Sequence, residues 1–335
     1  MEKISIVIPC RNEEKYIRQC IVSLLEMDYP SNLLEIVVVD GMSNDKTKEL
    51  VHELMTDFSN IKYIINTNLY TPHALNLGIQ RASYQYIMIA SAHSRFSKNY
   101  ISELMRYLKL LECDGIGGIL KTDVQNKTKK SLSIIKVLSN KFGVGNSKFR
   151  IGVNKPAKVD IVPFGIYKKS LFNEVGLYNE TLIRNQDMEF SKRLITAKKN
   201  IYLIPTAVST YFARESFVKL AKNNFGNGIW IPRTIYITKK FSSLSIRHFI
   251  PLLFLWSLTM PLLLSIWFPI LGVISLFSLF CYLVVISIIS NNINDKSTSI
   301  FYILGAFFTL HFSYAFGSII GLININYLWI KRSDS

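Results

Sequence analysis

Residues 36–47 read IVVVDGMSNDKT, and this stretch decides the fold class. Four β-branched residues in a row predict a strand that is buried on both faces. The strand ends at Asp40-Gly41, and Ser43 to Asp45 supply polar side chains that favour the start of a helix at Thr47. A buried strand that passes through a polar turn into a helix is the repeating unit of a parallel α/β sheet.

The same alternation occurs on both sides of this stretch. Ile4–Ile8 predicts a buried first strand, and apolar residues at helical spacing within 13–25 predict the first helix. Further strands are predicted at Tyr63–Ile65 and Tyr86–Ala90, with a helix over Thr71–Arg81 between them. This pattern predicts a parallel, doubly wound sheet. Ligands of such sheets bind beyond the carboxyl ends of the strands, so the polar residues there are the first candidates for a site.

The middle of the chain carries a weaker pattern. Residues 121–160 are polar and rich in Lys, Asn, Ser and Gly, which predicts a long, partly mobile excursion, either a functional lid or a variable insertion. An ordered pattern returns over residues 162–203, with a helix at about Asp187–Ala197. Residues 215–227 form an amphipathic, basic stretch that could lie in a bilayer interface.

The last third of the chain is apolar enough to be a membrane anchor. Hydrophobic residues make up 49% of the 335 residues, and no charged side chain occurs from Phe249 to Asn294 or from Ser297 to Ile330. Each run exceeds the roughly 20 residues that a spanning helix needs. We predict an anchor over residues 236–335, with about three helices near 249–267, 269–290 and 300–322, after a soluble domain over residues 1–235.

The basic residues Lys239, Lys240 and Arg247 place the soluble domain on the cytoplasmic side. A three-helix anchor would then leave Lys331 and Arg332 outside, so two or four passes stay open.

The net charge of +16 is concentrated before residue 249, since the charged side chains beyond that point sum to only +1. Nucleic acid, anionic lipid and phosphorylated substrates are the three partners that such a charge attracts. No zinc-ligand pattern, RNA-binding signature or helix-turn-helix is present, which argues against nucleic acid. The four cysteines form no CxxC pattern, and the first residues do not resemble a signal peptide. Both observations predict a reduced, cytosolic setting.

Five motifs occur in the order and spacing of a known enzyme family. They are Pro9-x-x-Asn12-Glu13, Val38-Val39-Asp40-Gly41-x-Ser43-x-Asp45-x-Thr47, His73-Ala74-Leu75-Asn76-x-Gly78, Phe164-Gly165-Ile166-Tyr167 and Asn185-Gln186-Asp187-Met188-Glu189. Together they resemble the family-2 inverting glycosyltransferases with the GT-A fold, over roughly residues 3–235. The membrane-anchored exopolysaccharide type, such as the succinoglycan glucosyltransferases, looks nearest. The resemblance implies a Rossmann-like, mixed and mostly parallel sheet flanked by helices.

The resemblance also implies roles for individual residues. Asp187 matches the catalytic base, which takes the proton of an acceptor hydroxyl as its oxygen attacks the anomeric carbon. A helix N-cap is the alternative interpretation of Asp187. Asp40 is expected to contact the base of the nucleotide, and Arg214 either a diphosphate or only solvent. The full set of expected nucleotide-sugar-binding residues is Pro9, Glu13, Asp40, Asp45, His73, Asn76, Ser91 and Arg214.

One position departs from the family pattern. Where the family usually carries Asp-x-Asp to hold a divalent metal on the diphosphate, this chain has Ser91-Ala92-His93. Mg²⁺ prefers oxygen ligands and Mn²⁺ tolerates imidazole better, so we expect one of them at His93. Alternatively, His93 only hydrogen-bonds a phosphate or a neighbouring loop. If metal binding is weak, Arg95, Lys98 or a basic lid residue would have to neutralise the leaving diphosphate.

These expectations describe an inverting transferase that moves a sugar from a nucleoside-diphosphate donor, UDP-linked by preference, to a polyprenyl-diphosphate-linked glycan. The setting would be exopolysaccharide or capsule synthesis at a bacterial inner membrane, with membrane lipid but not nucleic acid as a partner. A catalytically silent scaffold or binding subunit of a polysaccharide assembly complex is the alternative. A transporter is disfavoured, because the apolar runs contain no ionisable residue besides His311.

Overall fold

The computed structural model describes residues 1–323, which divide by their contacts into two compact units. The first unit comprises Met1–Thr122 and Lys148–Phe212, and the second comprises Asp123–Ser147 and the chain from Ala213 onward. The predicted boundary at residue 235 stays a prediction, since the contacts divide the chain at other positions. The predicted flanking residues Lys331 and Arg332 lie outside the described residues.

A mixed sheet forms the centre of the first unit. Over residues 1–323 its nine strands are β1 (Ile4–Cys10), β2 (Leu34–Asp40), β3 (Ile61–Ile65), β4 (Tyr86–Ile89), β5 (Ser94–Phe96), β6 (Gly115–Asp123), β7 (Ala157–Lys158), β8 (Ile166–Lys168) and β9 (Ile201–Phe212). The strand order is β3-β2-β1-β4-β8-β6-β9-β5, and β7 pairs with β9. Strands β3, β2, β1 and β4 are parallel, whereas β8 runs antiparallel to both of its neighbours. The predicted mixed sheet is therefore confirmed.

Helices cover both faces of the sheet, and further helices form the second unit. The α-helices of the described chain are α1 (Ile17–Leu25), α2 (Thr47–Asp57), α3 (Thr71–Arg81), α4 (Tyr100–Leu110), α5 (Lys129–Leu138), α6 (Lys141–Val144), α7 (Lys148–Ile151), α8 (Lys169–Val175), α9 (Gln186–Thr196), α10 (Phe217–Thr238), α11 (Ile250–Leu264), α12 (Ile270–Ile293) and α13 (Ile300–Ile323).

The unbroken apolar run of β2 follows from this double cover. Ile36 and Val38 belong to the apolar core on one face of the sheet, and Val37 and Val39 belong to the core on the other face. All four side chains have no exposed surface. Alternate residues of a strand point to opposite faces, so a strand covered on both sides needs apolar residues at every position.

The sheet contains a reversal of strand order next to β1. The chain builds β1, β2 and β3 outward in one direction and then returns to place β4 on the other side of β1. At such a switch point the loops after the two strands diverge and leave a crevice at their carboxyl ends. The loops that follow β1 and β4 therefore flank the place where a ligand site is expected.

The excursion predicted over residues 121–160 contains three helices, α5, α6 and α7. Thr128 caps α5 in a capping box with Ser131, and Ile134 and Val137 on the same helix are fully buried in the core of the second unit. Helix α5 is an ordered part of the excursion that was predicted to be partly mobile, because its apolar face is covered by helices that follow much later in the chain.

Three helices of the second unit are long and apolar enough to cross a membrane. They span Ile246–Leu264, Ile270–Ile293 and Ile300–Ile323, close to the three stretches predicted from the sequence. The amphipathic stretch predicted at 215–227 belongs to the longer helix α10, which packs along α13.

Helices α10 and α13 approach to backbone contact. A Cβ atom at Gly317 would lie 2.1 Å from the carbonyl oxygen of Phe225, and one at Gly321 would lie 2.4 Å from that of Ile229. A Cβ atom at Gly228 on α10 would likewise lie 2.1 Å from the carbonyl oxygen of Tyr314. Glycines four residues apart on one helix face are a common device for close packing of membrane helices.

We expect Gly317→Ala to destabilise the second unit by about 1–3 kcal/mol, because the new methyl group has only backbone to displace. Gly305→Ala on the same helix is the matched control, since its Cβ would meet only the ring of Phe217 at 3.4 Å. Thermal unfolding of the full chain in detergent measures both. Equal unfolding temperatures for the two variants would contradict the close approach.

Candidate active site

A cavity of about 450 Å³ opens at the carboxyl ends of β1 and β4. Pro9 at the end of β1, Arg11 and Glu13 in the loop after it, and Ser91 and His93 in the segment after β4 line this cavity. Further lining residues come from distant parts of the sequence, namely Phe149, Arg150, Phe164, Tyr167, Gln186, Asp187 and Tyr211. The predicted site residues Pro9, Glu13, Ser91, His93 and Asp187 are thus brought together at the switch point.

The loop after β1 takes its shape from the loop after β2. Asn12 has a left-handed backbone with φ of 56°, and its N–H donates to Ser43 Oγ at 2.8 Å. The N–H of Asn44 donates back to Asn12 Oδ1 at 2.9 Å, and the N–H of Glu13 donates to Thr47 Oγ1 at 2.8 Å. These bonds hold Glu13 at the edge of the cavity.

Asp45 belongs to the same network and does not line the cavity. Its carboxylate accepts the N–H of Thr47 at 3.0 Å and the N–H of Glu14 at 3.1 Å. Burial alone would raise the pKa of Asp45, but these hydrogen bonds outweigh it and lower the pKa. In this structure Asp45 fixes the two loops to each other, and its predicted contact with a nucleotide sugar stays a prediction.

Asp40 is buried at the end of β2, outside the cavity lining, with 2% of its surface exposed. Its carboxylate accepts the hydroxyl of Tyr63 at 2.6 Å and the N–H of Ser43 at 3.1 Å. Burial, reinforced by the bond to Asp40, raises the pKa of Tyr63 well above its usual value. A contact between Asp40 and a nucleotide base stays a prediction, because here the carboxylate is engaged within the protein.

His73 and Asn76 also lie outside the cavity lining. The amide nitrogen of Asn76 donates to the carbonyl oxygen of Tyr178 at 2.9 Å, and its oxygen accepts the N–H of Tyr178 at 2.9 Å. His73 Nδ1 lies 3.0 Å from a carboxylate oxygen of Glu180. Both residues therefore bind the segment that leads into α9.

Asp187 stands at the second residue of α9, where it faces the cavity. The N-cap position is held by Asn185, with a left-handed φ of 64°, so the interpretation of Asp187 as an N-cap is wrong. The side chain is exposed to the cavity, and partial desolvation by the protein around the carboxyl group raises its pKa. The N–H of Met188 at 2.9 Å and the charge of Arg150 offset that effect in part.

His93 is tied to the loop after β1. Its Nδ1 lies 3.1 Å from Glu13 Oε1, its Nε2 lies 3.4 Å from Ser91 Oγ, and its ring meets that of Tyr211 edge-on at 5.1 Å. Within residues 1–323 no three His, Cys, Asp or Glu side chains converge as metal ligands. An imidazole and a carboxylate already bonded to each other do not fit a metal held by protein groups, since Mg²⁺ and Mn²⁺ favour several oxygen ligands.

Arg150 is a cavity residue that was not predicted from the sequence. Its guanidinium lies 5.4 Å from the ring centre of Tyr211 and 5.6 Å from that of Phe149, and it donates to Thr122 Oγ1 at 3.3 Å. None of the ion pairs formed within residues 1–323 involves Arg150. Burial lowers the pKa of this guanidinium, as expected for a cation removed from water without a carboxylate at contact distance.

Two cations expected from the sequence are not among the residues that line the cavity. Arg95 is exposed on β5 and Arg214 belongs to the second unit, so their contacts with a diphosphate stay predictions. The sequence also allows a basic residue within 121–160 to neutralise the leaving diphosphate, and Arg150 lies in that range. Nothing in the local sequence distinguishes it from the other basic residues there, because Thr122 and Tyr211 meet it only through the fold.

The comparisons with known proteins agree on one family. The family model described as Glycosyl transferase family 2 matches residues 5–176, about half of the chain. A dolichyl N-acetyl-alpha-D-glucosaminyl phosphate 3-beta-D-2,3-diacetamido-2,3-dideoxy-beta-D-glucuronosyltransferase of Methanococcus voltae is 34% identical over 68% of this chain and 72% of its own. The succinoglycan biosynthesis protein ExoA of Rhizobium meliloti is 27% identical over 67% of each chain.

The fold has a counterpart among solved structures. The mannosyltransferase PcManGT of Pyrobaculum calidifontis, in complex with GDP-Man and Mn²⁺, superposes with a TM-score of 0.61 over 97% of this chain and 88% of its own. Its sequence is 14% identical, so the likeness concerns the fold.

The opposite environments of two aspartates predict opposite effects on stability. The raised pKa of Asp187 means that the folded state holds its proton more tightly than the unfolded state. The ionised form of Asp187 therefore opposes folding at neutral pH. This destabilisation is absent when the pH is below the pKa of Asp187 in the unfolded state, and it is complete when the pH is above the pKa in the folded state. We expect Asp187→Asn to raise the melting temperature at pH 7 and to leave it unchanged in acid.

Asp45→Asn is the matched control and should lower the melting temperature at pH 7. The lowered pKa of Asp45 makes a stabilising contribution at neutral pH, which is lost as the pH falls through the folded pKa. Melting curves of both variants between pH 3 and 8 measure this, and a destabilising Asp187→Asn at pH 7 would overturn the assignment.

Proposed function

The chain belongs to glycosyl transferase family 2, and from this membership we propose that it transfers a sugar, with inversion, from a nucleoside-diphosphate donor to a lipid-linked glycan. One observation carries the proposal: a carboxylate with a raised pKa, Asp187, faces the cavity at the switch point of the sheet. The three apolar helices associate the enzyme with a membrane. The basic residues Lys239, Lys240 and Arg247 support a cytoplasmic position for the sheet unit.

In the proposed reaction Asp187 is the general base. It accepts the proton of an acceptor hydroxyl while that oxygen forms a bond to the anomeric carbon. The bond from this carbon to the diphosphate breaks, and the nucleoside diphosphate leaves with the electron pair. One displacement of this kind inverts the anomeric configuration. A raised pKa suits the role, because a carboxylate at the usual aspartate pKa is a weak proton acceptor near neutral pH.

The donor and acceptor follow from the site and the relatives. The loop at Pro9–Glu13 and the residues Ser91 and His93 would hold the nucleotide diphosphate, with UDP as the first nucleotide to test. The M. voltae relative is named for a dolichyl-phosphate-linked sugar and the R. meliloti relative for succinoglycan biosynthesis. A polyprenyl-diphosphate-linked glycan on the way to a surface polysaccharide is therefore the acceptor that we propose.

Arg150 would take part of the role that a carboxylate-held metal has in the family. A leaving diphosphate develops negative charge, and a fixed cation in a site shielded from water stabilises that charge strongly. The planar guanidinium, held between Tyr211 and Phe149, can form two parallel hydrogen bonds to phosphate oxygens. Mg²⁺ or Mn²⁺ at His93 remains a prediction, and the protein side chains there do not by themselves provide its coordination.

We expect Asp187→Asn to lower kcat by about a thousandfold or more while the affinity for the nucleotide donor changes little, since loss of a general base acts on the chemical step. Asp57→Asn, an exposed substitution at the end of α2, is the control and should behave as wild type. Transfer of labelled sugar to a polyprenyl-diphosphate glycan, with donor binding by calorimetry, gives both quantities. Unchanged polymer output from cells that carry Asp187→Asn would favour the silent scaffold subunit.

We expect Arg150→Met to weaken binding of UDP, measured in the presence of a chelator, and to lower kcat by about a hundredfold, as for loss of one charge-stabilising group. Arg150→Lys should recover part of both, because it keeps the charge but not the paired geometry. Arg95→Met is the control, being exposed and outside the cavity lining. If Arg150→Met leaves chelator-treated binding and turnover unchanged, the diphosphate does not depend on Arg150.

A further inference from the structure

The second unit contains a cleft of about 530 Å³ that lies among the first residues of three helices. Lys129 and Lys130 come from the first turn of α5, Lys219 from the first turn of α10, and Tyr302 from the first turn of α13. None of the three lysines takes part in an ion pair within the described part of the chain.

The one carboxylate in the lining of this cleft is already bonded to the protein. Glu215 accepts the N–H groups of Gln125 and Asn126, each at 3.0 Å, through Oε1. Its Oε2 accepts the side-chain amide of Asn126 at 2.9 Å. Glu215 therefore joins the segment before α5 to the start of α10. With three lysines and one glutamate, the lining of the cleft has a net charge of +2.

This arrangement of charge opposes the folding of an isolated helix. The amino end of a helix carries a partial positive charge, so lysines in the first turn are unfavourable there and acidic residues are favoured. Neither α5 nor α10 has an acidic residue in its first turn. An anion bound in the cleft would compensate for the lysines.

The cleft lies at one end of a helix that is apolar and long enough to cross a membrane, α13. Lys130 stands 5.9 Å from the ring centre of Tyr302 and 6.0 Å from that of Phe217. Beside these rings in sequence, the apolar side chains of Phe301 and Val218 are 80% and 78% exposed. Aromatic rings, lysines and exposed apolar side chains together are typical of the headgroup region of a bilayer.

Helix α5 is fixed at this end of the anchor through its middle and its last turn. Lys136 Nζ lies 2.7 Å from Asp295 Oδ2, in the connection between α12 and α13. The N–H of Ser299 donates to Ser133 Oγ at 3.2 Å, directly before α13 begins. The lysines of α5 are therefore held at the level where α13 would enter the membrane.

We propose that the cleft formed by Lys129, Lys130, Lys219 and Tyr302 binds the phosphate group of a membrane lipid. The lysines would contact the phosphate, and Phe301 and Val218 would lie against the first carbons of the lipid chain. Two sources supply this chemistry, a bilayer phospholipid and a polyprenyl phosphate. The proposal concerns binding alone, so it holds whether or not the transfer reaction proposed above is correct.

Native mass spectrometry of the full chain in detergent tests the proposal. Phosphatidylglycerol, a polyprenyl phosphate, phosphatidylcholine or inorganic phosphate is added in separate arms. The variant is Lys129→Gln/Lys130→Gln/Lys219→Gln, and the matched control is Lys48→Gln/Lys168→Gln/Lys198→Gln, which removes the same charge from the first unit. We expect the variant to lose about tenfold or more in apparent affinity for lipids whose headgroup has a net negative charge, since each lysine contributes about fivefold at an anionic surface.

The arms separate the sources and the possible failures. Loss in the polyprenyl phosphate arm alone identifies the lipid carrier, and loss in both the polyprenyl phosphate and the phosphatidylglycerol arms identifies an anionic lipid headgroup in general. Lys129→Arg/Lys130→Arg/Lys219→Arg should retain binding, which excludes misfolding as the cause of the loss. If the glutamine variant and its control form equal amounts of anionic-lipid adduct, the proposal is overturned. It is also overturned if the glutamine variant loses phosphatidylcholine binding to the same extent as anionic-lipid binding. Sugar transfer is measured in a separate assay, so the lipid-binding result can be interpreted even if the wild-type protein shows no transfer.

Discussion

Side chains of the loop after β2 hold the loop after β1, and the shape of the cavity depends on those bonds. Ser43 and Thr47 accept backbone N–H groups of Asn12 and Glu13, and Asn12 keeps the left-handed backbone that turns the chain toward the crevice. The bonds can form because β1 and β2 are parallel and in register to their last residues, with Cys10 beside Asp40. The apolar run Ile36–Val39 of β2 is buried in the cores on both faces of the sheet.

Within this frame the cavity holds charges that the protein leaves only partly compensated. Asp187 is exposed to the cavity and Arg150 is half-buried, and partial desolvation shifts the pKa of the carboxyl up and that of the guanidinium down. Each favours the ionised form of the other, yet they form no contact pair. Charged groups that are only partly compensated bind an incoming proton or phosphate strongly, and they reduce the stability of the protein without ligand.

The sequence predicted the parts of this site that depend on local pattern. The strand at Ile36–Val39, the helix after Thr47 and the carboxylate at Asp187 follow from residues close to one another in the chain. Asp40 and Asn76 lie in recognised motifs, but their partners Tyr63 and Tyr178 become apparent only once the strands and helices are packed. Arg150 and the ordered helix α5 could not be derived, because their environments come from segments 60 or more residues away, at Tyr211 and at α13.

The glycine contacts between α10 and α13 also set an order for synthesis. Both segments of the sheet unit are complete once Phe212 has been made. The backbone groove at Gly228, however, stays uncovered until the ribosome has added Gly317 and Gly321, more than eighty residues later. The apolar face of α5 waits for the same helix. The catalytic unit can therefore fold during translation, whereas the membrane unit closes only when α13 has been released, so an interrupted chain would expose the unpartnered faces of α5 and α10.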